Sequence, residues 1–336
     1  MTGEELVFIT GASGFIGSCT ALALLRAGYR LRILHRQACK IERLQALLSE
    51  YSSRVEYALA LSLTDKAAYR EHLDGVNYII HLAHPLPSST EREAYFVPAV
   101  RATTTLLEEA ARVPSIKKVV ITSSVAALMP LDGVPPGGII KEDNDWDFTF
   151  DETEDFAASA DPRGVPMRLY HASKLLANRT AHKFRTTAAP SYALVTLHPV
   201  FVYGHNPTQN SAEEIEASSN GLLWYTLLAG VPHRCHSQVP GVHIDDVVEA
   251  HVRALDPGVA DGSRYLLSGP GRSWKEVAEV VQREYPDLGA RISTDLEEGF
   301  LPMDGGRAEK ELGLAWRSWE AMVRDVVEQQ LGFAKS

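Results

Sequence analysis

The chain has 336 residues and a formal net charge of −10, with 45% apolar and 23% charged residues. Those proportions suit a globular protein with a real core, built as two domains or as one large α/β domain with a smaller lobe. The negative balance argues against a nucleic-acid partner or an anionic membrane surface, since both need concentrated positive charge.

Cys19, Cys39 and Cys235 are the only cysteines, odd in number and without a Cys-x-x-Cys pair. A disulfide framework or a zinc site is therefore not expected, and reduced thiols in a cytoplasmic protein fit best. The N-terminus, "MTGEELVFIT", carries two acids before a short apolar run and does not read as a secretion signal. No window reaches the roughly 18 apolar residues of a membrane span.

In chain order, residues 6–9 read as a strand, "TGASGFIG" (10–17) as a glycine turn opening a helix, and 29–34 as a second strand, with Gly28 as the helix stop. That is one βαβ unit, with a parallel pair and a right-handed crossover. The alternation continues with a helix over 40–51, a strand over 55–59 and a helix over 65–73. A buried strand over 76–83, a long helix over 91–112 and a strand over 117–124 follow. The expected fold is a Rossmann-type, doubly wound parallel sheet with a smaller C-terminal substrate-binding lobe.

Residues 130–165 are rich in Pro, Gly and acids and lack periodicity, the mark of a functional loop. A helix carrying Tyr170 and Lys174 comes next, then one strand over 191–204. The expected division is a nucleotide-binding domain over 1–200 that receives 241–256 by chain return, and a lobe formed mainly by 201–336.

The glycine turn has the context that binding a dinucleotide requires. Gly11 permits the tight turn, Gly14 lets the backbone approach a pyrophosphate, and Gly17 lets the helix pack on the sheet. Ser13 lies inside the turn, and the N–H groups at the helix start face phosphate. After the second strand, "RLRILHRQACK" has no acid to bind a ribose 2′-hydroxyl. Arg32, His35, Arg36 and Lys40 make it basic, which suits the 2′-phosphate of NADPH, with Arg36 as the main ligand.

Ser123 and Ser124 end a buried strand, where a hydroxyl can donate to a carbonyl oxygen. Tyr170 and Lys174 are four apart, hence on one face of a helix. An ammonium near a tyrosine favours phenolate and lowers the pKa of the phenol, so the pair reads as a proton-delivery device. "HLAH" (81–84) and "HRCH" (233–236) do not converge as metal ligands, and no metal is expected.

Together "TGASGFIG", "TSS", "YHASK", "HPVFVYG" and "VHIDDVVEAH" resemble the extended short-chain dehydrogenases/reductases over nearly the whole chain. Within them the chain resembles the dihydroflavonol-4-reductase and cinnamoyl-CoA-reductase group, and most of all the fungal and yeast NADPH-dependent carbonyl reductases. The resemblance implies Ser124, Tyr170 and Lys174 as catalytic residues, with Tyr170 and Lys174 also touching cofactor. It implies NADPH/NADP+ held by Gly11, Ser13, Gly14, Phe15, Ile16, Gly17, Arg36, Lys40, Leu63, Ala83, Pro199 and Val200.

The implied reaction is hydride transfer to the carbonyl of a small aldehyde or ketone. Nucleotide-sugar epimerases and dehydratases share the scaffold but favour an acid after the second strand. A nucleotide-sensing regulator would need no Ser/Tyr/Lys set. The family contains both monomers and homodimers. Three positions depart from it: Ser62 stands where an adenine-contacting Asp is usual, and His84 and His198 stand where other residues are common. Phe201, Trp224 and Tyr225 are apolar candidates for the substrate pocket.

Overall fold

A computed structural model of the protein describes residues 5–36, 38–156, 164–230, 238–239, 241–269, 271–293 and 301–334. The first unit is β1 (Leu6–Thr10), α1 (Phe15–Arg26) and β2 (Arg30–His35). All five residues of β1 are buried, as in a parallel sheet covered on both faces. α1 ends where expected: Gly28, at φ 97°, donates to Leu25 O, and Tyr29 N–H donates to Leu24 O. That is a Schellman stop, which a residue with a Cβ would strain.

α2 (Ala38–Leu47) passes into a 3-10 segment before β3 (Val55–Leu59). The helix expected over 65–73 is a single turn, α3 (Ala67–Arg70). β4 is Tyr78–His81 and α4 is Phe96–Ala110. The helix expected from residue 91 is interrupted at Tyr95, whose hydroxyl accepts from Ser88 N and Ser89 N and donates to Ser89 O. β5 (Lys118–Thr122) leads into a 3-10 turn, Val125–Leu128, and α5 (Val165–Ala188) follows the long irregular segment.

β6 (Ala193–Pro199) ends where the sequence suggested continuation to 204. Val200 N–H still bonds Leu267 O, but the chain then leaves the main sheet, and β7 (Phe201–Tyr203) pairs elsewhere. α6 (Asn220–Ala229), β8 (Gln238–Val239), β9 (Gly241–His243) and α7 (Ile244–Arg253) come next. They are followed by β10 (Arg264–Leu267), β11 (Arg272–Ser273), α8 (Trp274–Glu284), α9 (Gly306–Leu312) and α10 (Trp319–Ala334).

The main sheet has seven parallel strands in the order β10-β6-β5-β4-β1-β2-β3. Its last strand comes from residues 264–267, after α7, which lies within the expected 241–256 return and packs on the sheet layer. Two small two-stranded sheets, β7 with β9 and β8 with β11, stand outside it.

One face buries Val7, Ile9, Leu24 and Leu31 with Val247 of α7, and the other buries Leu6, Phe8, Tyr69 and Leu106. A separate core gathers Leu223, Trp274, Val277, Trp319 and Met322. It is tied back to the sheet layer by Arg317, which pairs with buried Asp246 of α7, and by Asp325, which accepts from His243. Strand order reverses between β1 and β4, since the chain winds outward from β1 to β3 and then crosses back to β4 on its other side, and this switch point opens a crevice at the carboxyl ends of the strands.

Candidate active site

The turn after β1 lies at the switch point. A Cβ on Gly11 would stand 2.7 Å from Ala83 N, so this turn and the segment after β4 touch backbone to backbone. Gly11 also has φ 78°, in the left-handed region. A Cβ on Gly17 would stand 2.1 Å from Gly11 O, so only glycine lets α1 begin this close to the strand. At Gly14 the same atom would meet only ordinary contact, and Gly14 is exposed.

α1 has no side-chain cap and no acid in its first turn. Its first N–H groups are therefore open to an anion. Thr10 Oγ1 accepts from Ala83 N–H and hydrogen-bonds His81 Nδ1 at 2.8 Å, which locks the two edges of the crevice together. The close backbone approach, the open helix start and the crevice together fit a dinucleotide pyrophosphate.

The other expected cofactor residues line the same carboxyl edge. Arg36 follows β2 and is exposed, Leu63 follows β3, Ala83 follows β4, and Pro199 and Val200 end β6. The side chain of Lys40 lies outside the described residues, as does "HRCH" (233–236).

Arg32 is a correction. Its guanidinium bonds Glu56 and the carbonyl oxygens of His72 and Asp74, so it braces β2 against its neighbours and does not join Arg36. Ser62 hydroxyl is occupied within its own turn, by Thr64 N–H and Thr64 Oγ1.

α5 carries Tyr170, Lys174 and Asn178 at helical spacing along the face toward β5. Pro166 in its first turn suits the helix start. Ser124, extended at φ −162° and ψ 157°, caps the following 3-10 turn by accepting from Ala126 N–H. The Tyr170 hydroxyl lies beside it, and the Ser124 hydroxyl favours the phenolate form of Tyr170. Lys174 Nζ donates to Thr122 O at 3.2 Å and lies 5.7 Å from the centre of the Tyr170 ring. The three side chains singled out in the sequence thus converge.

Their electrostatics correct one expectation. Burial raises the Tyr170 pKa, with the Ser124 hydrogen bond pulling the other way. Burial also brings Lys174 down to about 7. Sequence spacing suggested a tyrosine lowered by a charged lysine. In the folded chain, loss of water around each group sets its shift, so the phenol keeps its proton and the amine readily loses one.

Several groups were not singled out from sequence. A cavity of about 10 Å³ lies behind Lys174, lined by His81, Ala83, Thr122, Ser123 and Asn178 among others. Asn178 Oδ1 is buried without a protein partner. The space suits one water. Asn178 stands four residues after Lys174, and that spacing was the available signal.

His84, one of the two departures, packs edge-on against the Tyr170 ring at 5.7 Å and hydrogen-bonds Ser173 Oγ at 3.0 Å. His198 is fully buried with both ring nitrogens bonded. Of the pocket candidates, Trp224 packs on the C-terminal core, Phe201 stacks on Tyr203, and the Tyr225 hydroxyl donates to Glu216.

The model of the "NAD dependent epimerase/dehydratase family" matches residues 7–267. The ketoreductase sphI of Aspergillus fumigatus is 67% identical over 98% of this chain and 99% of its own. The ketoreductase CTB6 of Cercospora nicotianae is 29% identical over 98% and 95%. Among solved structures, the yeast methylglyoxal/isovaleraldehyde reductase Gre2 complexed with NADPH superposes with a TM-score of 0.81. It is 20% identical and covers 98% of this chain and 99% of that one.

Proposed function

The chain belongs to the NAD dependent epimerase/dehydratase family of extended short-chain dehydrogenases/reductases, and on that premise we propose that this NAD(P)-dependent oxidoreductase is an NADPH-dependent ketoreductase. The observation that carries this reading is the convergence of Ser124, Tyr170 and Lys174 at the carboxyl edge of the sheet. The name of the 67% identical relative, a ketoreductase, supports it.

The backbone of residues 11–17 would hold the pyrophosphate, and Arg36 the 2′-phosphate that distinguishes NADPH from NADH. Bound there, the reduced nicotinamide supplies a hydride. Ser124 and Tyr170 donate hydrogen bonds to the substrate carbonyl oxygen. As the carbonyl carbon gains the hydride, the π electrons move to oxygen, and the Tyr170 proton follows them. The product is an alcohol.

Burial keeps Tyr170 protonated, which is the form a proton donor needs. Lys174, at about 7, is matched to return a proton to the phenolate and regain one from water.

The test follows NADPH oxidation against a panel of aldehydes and ketones, with NADH in parallel and Tyr170→Phe as control. Carbonyl-dependent NADPH consumption that Tyr170→Phe abolishes, with cofactor binding kept, is the expected result. Near-normal turnover by the variant would remove Tyr170 from its role. Tightly held NAD released on denaturation, with no carbonyl reduced, would point to the epimerase chemistry of the same family.

A further inference from the structure

Ser124 is held from two sides. Its carbonyl oxygen accepts from Ala127 N–H at 2.9 Å, within its own turn, and lies 3.1 Å from His198 Nδ1 on β6. A carbonyl only accepts, so Nδ1 carries the proton. Nε2 of the same ring lies 2.9 Å from Thr196 Oγ1, which in turn lies 3.4 Å from His182 Nε2.

The ring is fully buried, and burial brings its pKa down to about 3, so it stays neutral and Nε2 accepts. A directed chain results: His182 Nε2–H to Thr196 Oγ1, Thr196 O–H to His198 Nε2, and His198 Nδ1–H to Ser124 O. Every hydrogen in it points toward the serine. The last ladder bond of β5 to β6, Ser123 N–H to Leu197 O at 2.7 Å, lies one residue earlier. Beyond it, His198 is the bond from β6 that fixes the Ser124 peptide.

We propose that His198 is a positioning residue for carbonyl reduction, setting the direction of the Ser124 hydroxyl through the Ser124 backbone. This rests on the ketoreductase reading. It gives a function to the departure at position 198, because one ring both bonds the serine peptide and is itself oriented by a neighbour.

The test compares His198→Asn with His198→Gln. The Asn amide nitrogen takes the place of Nδ1 and keeps the bond to Ser124 O. The Gln amide nitrogen takes the place of Nε2, where it donates to Thr196 Oγ1 instead of accepting from it, and loses Ser124. Both bury one amide, so their folding burdens match. The expected result is kcat within about threefold of wild type for Asn and reduced about tenfold or more for Gln, since small misplacements near the reacting atoms are costly. The dissociation constant for NADPH stays the same in both.

Equal kcat in the two variants, or a fall in NADPH binding that parallels kcat, would overturn the assignment. If wild type reduces no carbonyl, the ketoreductase reading fails by itself. Crystal structures of the two variants then decide the positioning claim. A Ser124 peptide displaced in Gln and unmoved in Asn supports it, and an unmoved peptide in both refutes it.

Discussion

Acid should unfold this protein earlier than its carboxylates alone would dictate, because it buries a set of neutral histidines. Burial brings His81, His182 and His251 to about 4, and His198 to about 3. His84 is lowered as well. Each has a normal pKa near 6.5 when the chain is unfolded.

Between those values the unfolded chain binds more protons than the folded one, so stability is present above pH 6.5 and is lost as pH falls toward 4. Integrated from pH 7 to pH 5, a histidine moved from about 6.5 to about 4 loses about 2 kcal/mol of stability, and the four together lose on the order of 7 kcal/mol. That is comparable with the whole stability of a typical domain, about 5–15 kcal/mol. Buried Glu142 and Asp246 are raised by burial and act in the opposite sense.

The assay is guanidinium unfolding read by the fluorescence of Trp274 and Trp319, both buried, at half-unit steps of pH. At pH 5 unfolding should take up about 3.5 protons, the four histidines being almost fully charged only when unfolded. An unfolding free energy that changes by less than about 2 kcal/mol over the window, one histidine's share, would refute the reasoning. Above pH 7 the depressed Lys174 continues the trend, stability rising with pH until the unfolded lysine also titrates.

Gly17→Ala should abolish NADPH binding and lower thermal stability, because the new methyl would lie 2.1 Å from a backbone oxygen; calorimetric titration and a melting curve check both. Tyr170→Phe should reduce turnover by about 10²–10⁴-fold, the usual worth of a positioned general acid, while fluorescence titration shows unchanged cofactor binding. Arg36→Ala should raise KM for NADPH by about tenfold or more and leave NADH unaffected, since a charge-assisted phosphate contact is worth about 1.5–3 kcal/mol. An equal change for both cofactors would take Arg36 away from the 2′-phosphate.

What was legible in the sequence was local chemistry at strand ends. β1, its glycine turn and α1 announce themselves because the steric need for glycine leaves a pattern. The Ser124, Tyr170 and Lys174 set was legible because helical spacing and strand ends place side chains predictably. Other features depend on partners remote in sequence. Nothing in "HPVFVYG" shows that the chain changes sheets after Pro199, since an apolar run reads alike in either sheet. The four residues of β10 are too short to stand out. Arg32 adds to the basic character of "RLRILHRQACK", but Glu56 of the neighbouring strand takes its guanidinium. The pKa order of Tyr170 and Lys174 follows from burial, which spacing does not report.

The position of β10 has a consequence for how the protein is made. β6 would be an edge strand until residues 264–267 pair with it. While a ribosome is still adding the residues after 200, every strand from β1 to β6 has been synthesised, yet one flank of the sheet carries a row of unpaired amide and carbonyl groups. Domains generally fold as units from the N-terminus during synthesis. Here the sheet waits for a segment that arrives only after the chain has passed through α6, β8, β9 and α7. Slow codons in that interval would prolong the exposure of the β6 flank, and a bound chaperone would cover it, so both would have their greatest effect on yield there.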